Sequence, residues 1–330
     1  MSDRPLLGFT IGDPAGAGPE ICIKALNKPE VTQICRPILY GDEKVIRRAM
    51  KIVPTKMELL RITESSEYRD GSINLISLDN MPDTWEYGKV QAVCGKAAFE
   101  FIVRAVEDAK AKKIEGVVTG PINKEAMNAA GIHYSGMTEI FADLTGTKDY
   151  AMLLTGGPLK VIHVNTHVSM KEAIERVKKD RVLRVIRLAH QALRDLGVEK
   201  PRIAVAGLNA HAGENGLFGD EEIKEVVPAI EAARAEGLEV TGPVPPDTVF
   251  LKAVNGMFDI VVAMYHDQGH IPLKLLDFMG GVNVTVGIPI LRTSVDHGTV
   301  FGKAGKGTAD ESSMIKAIQL GVQFAKNRRG

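Results

Sequence analysis

The chain has 330 residues, 45% of them apolar and 25% charged, with 41 Lys and Arg set against 41 Asp and Glu. Those values fit one large α/β unit or two domains with ample core. The zero net charge argues against nucleic acid or an anionic membrane as partner and leaves a small molecule as the default. Cys22, Cys35 and Cys94 have neither a pairing number nor metal-ligand spacing, the pattern of reduced thiols in a cytoplasmic protein. The N-terminal apolar run is too short for a signal peptide, and no window approaches the ~18 apolar residues of a membrane span.

In chain order, the first predicted strand is LLGFTI, and it runs into IGDPAGAGPE, Ile11 to Glu20. Gly12, Gly16 and Gly18 fit neither the dinucleotide fingerprint nor the phosphate loop of nucleotidases. Pro19 suits a first helical position and Glu20 a first turn. Spacing alone leaves two readings open, a tight strand-to-helix turn and a ligand loop. The next predicted strands are RPILYG, GSINLISL, EGVVTG, YAMLLTG, LKVIHVNTH, PRIAVAGL and FDIVVAMYH. Between them, VCGKAAFEFIVRAVEDAKAKK and DRVLRVIRLAHQALRDLG repeat apolar residues at helical spacing. This alternation predicts an α/β fold with a mostly parallel, buried sheet. The expected lobes are residues 1–130 plus 300–330, and residues 131–299. The last helix, ADESSMIKAIQLGVQFAKNRR, is expected to pack back on the first.

Several strands end in polar residues: VVTGPIN, NTHVSM, GLNAHAGENG and AMYHDQGH. Open α/β sheets bind ligands at the carboxyl ends of their strands, so these groups are expected to converge. His167, His211 and His266 stand at three such ends. Three imidazoles with an open position make a catalytic zinc-type set, and each could equally be a hydrogen-bonded loop or core histidine. His163 shares a face with Asn165 and His167 if the strand continues; a hydrogen bond within the sheet is preferred for it over a fourth ligand. His270 and His297 flank these groups, while His133 and His190 read as structural or exposed. Lys274, Asn283 and Arg292 suit an anionic substrate, against the alternative of solvated element ends. Asp247 in PPDTVF reads from spacing as an N-cap, with orientation of a histidine or the substrate as the other reading.

Taken together, GDPAGAGPE, TGPINKEAM, GMTEIFA, THVSM, LNAHAGENGLFGDEE, PPDTVF, MYHDQGH, GVNVTVGIP and RTSVDHGT resemble the 4-hydroxythreonine-4-phosphate dehydrogenase (PdxA) family over most of the chain. HDQGHIPLKLL looks more like its catabolic branch, which acts on 4-phospho-D-threonate or 4-phospho-D-erythronate. The resemblance implies an isocitrate/isopropylmalate dehydrogenase-like fold of two α/β lobes with a cleft between them. It further implies a homodimer with active sites shared between subunits, and NAD or NADP bound without a Rossmann fingerprint. One divalent metal per site is implied on His167, His211 and His266; imidazoles favour zinc, with cobalt, magnesium or manganese as alternatives. Thr138, Lys274, Asn283 and Arg292 become substrate contacts, and Asp247, Asp267 and Lys274 catalytic candidates. Gly302, Gly305, Gly307 and Asp310, in GKAGKGTADES, are candidates for the adenosine side of the cofactor. Met137 stands where the family pattern has a histidine, which alters substrate recognition there. The implied reaction oxidises the C3 hydroxyl of a 4-phosphorylated four-carbon hydroxy acid, 4-hydroxythreonine 4-phosphate included, with decarboxylation. A terephthalate cis-dihydrodiol is the alternative substrate. A zinc hydrolase and a non-catalytic sugar-phosphate sensor are the rival classes.

Overall fold

In a computed structural model of the chain, residues 3–278 and 280–329 are described; Met1, Ser2, Met279 and Gly330 lie outside the described residues. Two units divide the chain, Met1–Thr147 with Ile288–Gly330, and Lys148–Gly287.

The first unit begins β1 (Leu6–Thr10), α1 (Gly18–Leu26), the single turn α2 (Pro29–Thr32), β2 (Arg36–Gly41), α3 (Glu43–Ile52), β3 (Glu58–Arg61) and β4 (Ser72–Ser77). It continues through α4 (Ala92–Lys110), β5 (Gly116–Thr119), α5 (Lys124–Ala129) and α6 (Met137–Leu144). The second unit holds β6 (Ala151–Gly156), β7 (Leu159–His163), α7 (Met170–Arg176), α8 (Lys179–Asp195), β8 (Ile203–Ala206), α9 (Val227–Ala235), β9 (Val240–Val244), α10 (Pro246–Val254), β10 (Ile260–Ala263), α11 (His266–Leu276) and β11 (Val282–Val286). The chain then completes the first unit with β12 (Arg292–Val295) and α12 (Ser312–Arg329), which packs on β5 and β12.

The first unit's strands run β3-β4-β2-β1-β5-β12, all parallel. The second unit's run β11-β6-β7-β10-β8-β9, with β7, β10, β8 and β9 parallel and β6 antiparallel to both neighbours. The mostly parallel sheet is as expected, and its central strands are apolar because helices cover both faces. In β8 every residue of IAVA is buried. Helix α8 turns Val182, Val185, Ile186, Ala189 and Leu193 inward, the i, i+3, i+4, i+7 stripe that drives a helix onto a sheet. On the sheet's other side Leu273 of α11 joins Val161, Val261 and Ala263 in one apolar cluster. Burying a side chain of that size contributes roughly 1.5–3 kcal/mol, so α11 is anchored through its middle and its first turn is set against the strand ends.

The units divide after residue 147 and before residue 288, whereas the sequence pattern puts the limits at 130/131 and 299/300. Helix α6 packs on α4, and β12 pairs with β5. Met137, Thr138 and Arg292 therefore belong with the first unit.

Candidate functional site

In the second unit four adjacent parallel strands end on one edge, in the spatial order β7, β10, β8, β9. His167 follows β7, His266 and Asp267 follow β10, His211 follows β8 and Asp247 follows β9. The edge is braced from beneath. Gln268 Nε2 donates to the Gly207 carbonyl at 2.7 Å and its Oε1 accepts the Met264 N–H at 2.7 Å. Asn165 Nδ2 donates to the carbonyls of Ala173 at 3.1 Å and Met264 at 3.3 Å.

Helix α11 opens on His266, and His266, His270 and Lys274, spaced by four, share one face. The rings of His266 and His270 stack at 3.6 Å, and His270 Nδ1 donates to the His266 carbonyl at 3.0 Å. His266 Nδ1 donates to Asp267 Oδ1 at 2.7 Å, which leaves Nε2 as the lone-pair nitrogen. The His167 ring lies 5.9 Å from that of His266.

His163 is the last residue of β7 and fully buried. Its Nδ1 donates to the Met152 carbonyl at 3.2 Å, the expected bond within the sheet. Burial pushes its pKa down to about 3, so the ring is neutral. The face shared with His167 does not form, because the strand stops at His163 and the exposed His167 sits in the loop beyond. Gly269 lets α11 approach this ring; a Cβ there would lie 2.4 Å from His163 Nε2.

His211 sits in a tight turn at Ala210–Gly216, its ring 6.2 Å from Phe218. Among the described residues no three His, Cys, Asp or Glu side chains are gathered to hold a metal ion. The edge brings His167 and His266 together, and His211 stands on the loop of the next strand but one from β7. The donor chemistry suits a divalent ion in one respect: His266 presents Nε2 with a carboxylate behind it, the usual support of a metal-binding imidazole.

Asp247 is not an N-cap. Pro245 holds that position, Pro246 starts α10 with its preset φ, and the exposed Asp247 lies within the first turn. Lys274 is half-buried with Nζ 5.5 Å from the Phe278 ring. Asn283 lies on β11 opposite Leu154 of β6 and is half-buried.

A second polar edge belongs to the first unit. The sheet there reverses its build direction between β1 and β5, and the loops after these strands meet. Gly12, at φ 76°, packs where a Cβ would come within 2.3 Å of the Pro121 carbonyl, so only glycine fits. The Asp13 N–H donates to that same carbonyl at 2.9 Å. Asp13 Oδ1 accepts the Ala15 N–H at 2.8 Å, while burial pushes this carboxyl up to about 6. Glu20, fully buried, accepts the N–H groups of Gly305 at 2.5 Å and Gly307 at 2.7 Å. Lys24 Nζ donates to the Ala309 carbonyl at 2.6 Å. The opening stretch is thus a strand-to-helix turn, and its helix holds the loop that carries Gly302, Gly305, Gly307 and Asp310. Of these, Gly302 and Asp310 are exposed; the Ser312 side chain and N–H hold the Asp310 carboxyl below its usual range.

Arg292 is 1% exposed. It donates to Thr119 Oγ1 at 3.0 Å and lies 5.4 Å over the Phe141 ring. Burial lowers its pKa to about 9, against the opposing charges of Glu139 and Asp296. Thr138 is buried in the first turn of α6, and Met137, the first residue of that helix, is half-buried. Sequence reasoning does not single out the structural work of Glu20, Asn165, Gln268 or Glu222. Each is a polar residue buried at or near an element's end, and its pattern carries no local sign of the partner it finds.

The sequence profile of the pyridoxal phosphate biosynthetic protein PdxA matches residues 33–321. A relative from Oceanobacillus iheyensis is 49% identical over 332 residues, covering 99% of this chain and all of its own. D-threonate 4-phosphate dehydrogenase from Cupriavidus necator is 46% identical over 332 residues, with 99% and 100% covered. Among solved structures, a 4-hydroxythreonine-4-phosphate dehydrogenase from Klebsiella pneumoniae gives a TM-score of 0.89 at 46% identity, covering 98% of each chain. A terephthalate 1,2-cis-dihydrodiol dehydrogenase from Burkholderia xenovorans gives 0.69 at 33%, covering 97% and 98%. An isocitrate dehydrogenase from Methylococcus capsulatus, 14% identical with a TM-score of 0.50 and 99% and 88% covered, shares the fold. The chain belongs to the PdxA family.

Proposed function

We propose that this chain is an NAD(P)-dependent dehydrogenase that oxidises the C3 hydroxyl of a 4-phosphorylated four-carbon hydroxy acid, with 4-phospho-D-threonate as the first candidate. The observation that carries this reading is full-length identity of 46% to D-threonate 4-phosphate dehydrogenase, on a chain whose parallel strand ends carry His167, His211 and His266. 4-Phospho-D-erythronate and 4-hydroxythreonine 4-phosphate are the neighbouring substrates. A second reading, the phosphate-free terephthalate dihydrodiol, draws on Met137, whose thioether cannot donate to a phosphate, and on the 33% identical relative.

When bound, a divalent ion on His167, His211 and His266 would supply Lewis acidity to the substrate hydroxyl, and the nicotinamide would take the hydride. The chain's own residues do the rest. Asp267 holds His266 with Nε2 free, as its 2.7 Å hydrogen bond indicates. His270 stacks on that ring and limits its rotation. Lys274 and Arg292 supply fixed positive charge for the anionic groups of the substrate, Thr138 and Asn283 supply hydrogen bonds, and the exposed Asp247 is placed to exchange a proton with solvent. Decarboxylation of the resulting 3-keto acid belongs to this reading. Gly302, Gly305, Gly307 and Asp310 are proposed for the adenosine side, supported by the latch that Glu20 makes on their loop.

The homodimer with shared sites is also part of the reading. It is supported by the apolar side of α11 and the residues after it, where Ile271, Leu275 and Phe278 are 57%, 83% and 71% exposed, more than single scattered apolar residues would present. No helix among the described residues is long and apolar enough to cross a membrane, and a cytoplasmic location is proposed. The deciding experiment follows nicotinamide reduction with the three phosphorylated acids and the dihydrodiol, with added Zn²⁺, Co²⁺ or Mg²⁺ and with a chelator. Chelator-sensitive turnover of a phosphorylated acid is expected. Turnover of the dihydrodiol alone would replace the substrate assignment, and silence on all four would overturn it.

A further inference from the structure

His211 heads a run of six consecutive residues with positive φ. The values are 52° at His211, 56° at Ala212, 79° at Gly213, 44° at Glu214, 55° at Asn215 and 97° at Gly216. Glycine adopts this region freely, whereas each other L-residue costs roughly 1–2 kcal/mol there. A run of this kind persists only where its surroundings over-determine it.

Those surroundings centre on one carboxylate. Glu222 is 2% exposed. Its Oε1 accepts the Asn209 N–H at 2.7 Å and its Oε2 accepts Asn209 Nδ2 at 2.9 Å. The neighbouring Glu221 Oε2 accepts from the same Nδ2 at 2.8 Å. The turn wraps closely around this group. A Cβ at Gly213 would lie 2.8 Å from Glu222 Oε2, and one at Gly219 would lie 2.6 Å from Asn209 Nδ2. Glu222 also opens a π turn, Glu222–Val226, that leads into α9; such turns are rare and recur near functional groups. A loop that merely joined β8 to α9 would need neither feature. Here both meet at Glu222, against the turn that His211 heads.

We propose that Glu222 is a positioning residue: it holds the turn left-handed and so sets where the His211 imidazole is delivered. The proposal rests on the reading of His211 as a metal ligand. The test uses the full-length, chelator-treated chain with His211→Ala, Glu222→Gln and Asn209→Ala. Three quantities are measured: Co²⁺ affinity by visible absorbance, the His211 imidazole NMR signals of the metal-free protein, and its melting temperature. Gln at 222 keeps the shape but turns an NH₂ toward a group that already donates. The expected result is about 10–100-fold weaker Co²⁺ binding and displaced His211 signals, with little change in melting. Asn209→Ala, which keeps the backbone bond, moves the same readouts by less.

If Glu222→Gln binds Co²⁺ as the parent does and leaves the His211 signals in place, while His211→Ala loses binding, the proposal fails and the ligand reading stands. If His211→Ala also binds Co²⁺ unchanged, the ligand reading fails, and the metal-free NMR alone decides what Glu222 does. Should Glu222→Gln not fold, Asn209→Ala decides the matter by the same readouts.

Discussion

The two strand edges of this chain treat charge in opposite ways. In the second unit His167, His211 and Asp267 are exposed, and His266 keeps 37% of its side chain accessible. In the first unit Asp13 and Glu20 are 0% exposed and Arg292 is 1% exposed. A buried charge is retained only where hydrogen bonds or partners offset its desolvation, and in the first edge the carboxyls of Asp13 and Glu20 accept N–H groups of the loops. The second edge braces the ends of β7 and β10 with neutral amides, Asn165 and Gln268, holds the His211 turn with the buried carboxylate of Glu222, and leaves His167, His211, His266 and Asp267 accessible. The first edge uses two buried carboxyls to fix loop geometry; the second keeps three histidines accessible.

The sharpest way to break that contrast is to remove one group from each edge. His266→Ala should lower turnover by more than the roughly 10–100-fold that loss of an outer partner costs, with the melting temperature unchanged. A large loss of stability instead would place His266 with the structural charges. Glu20→Ala should do the reverse. Two N–H groups lose their acceptor at about 1–3 kcal/mol each, so denaturant unfolding should show a loss of about 3 kcal/mol, with a raised KM for the nicotinamide cofactor. An unchanged unfolding midpoint would mean that Glu20 does not latch the loop.

Asp13 sharpens the comparison through pH. Its native pKa, about 6, lies above the ordinary value of 3.8, so the folded chain holds the proton more tightly than the unfolded one. The carboxyl's contribution is complete below pH 3.8 and is lost as pH rises through 6. Asp13→Asn should therefore nearly match the parent at pH 4 and exceed it at pH 8 by roughly 3 kcal/mol, read from unfolding curves at both pH values. A gain at pH 4 as well would mean that something other than ionisation is at work. The smallest effect is expected at the rim of the first edge. Met137→His adds a donor at the start of α6 and should lower KM for a phosphorylated acid about fivefold, the worth of one modest hydrogen bond. No change in KM would make Met137 a bystander in substrate choice.

Much of the fold is legible because buried strands announce themselves as mostly apolar runs, and all eight such runs form strands, seven of them with parallel neighbours and β6 antiparallel. Four further strands are not. β3 is half-exposed at a sheet end, β9 contains Gly and Pro, β11 alternates polar and apolar between glycines, and β12 is the short and polar RTSV. The histidines are readable because a polar residue at the end of an apolar run is a local signal. Glu20 is readable only as a good first-turn residue, since the N–H groups it accepts lie 285 and 287 positions away. Glu222 is hidden for the same reason on a smaller scale, as one acid in the run DEE. Asp247 misleads, because a proline pair starts α10 before the acid that looks like its cap.

Cys22, Cys35 and Cys94 are all buried, and desolvation pushes each thiol up to about 12. Thiolates are the nucleophiles that attack maleimides and peroxide, so the buried native sulfhydryls should react slowly with either. A cysteine introduced at an exposed position such as Leu251, 63% accessible, would be the group that a dye or spin label modifies. The chain can therefore be labelled at a chosen point without first stripping its own cysteines.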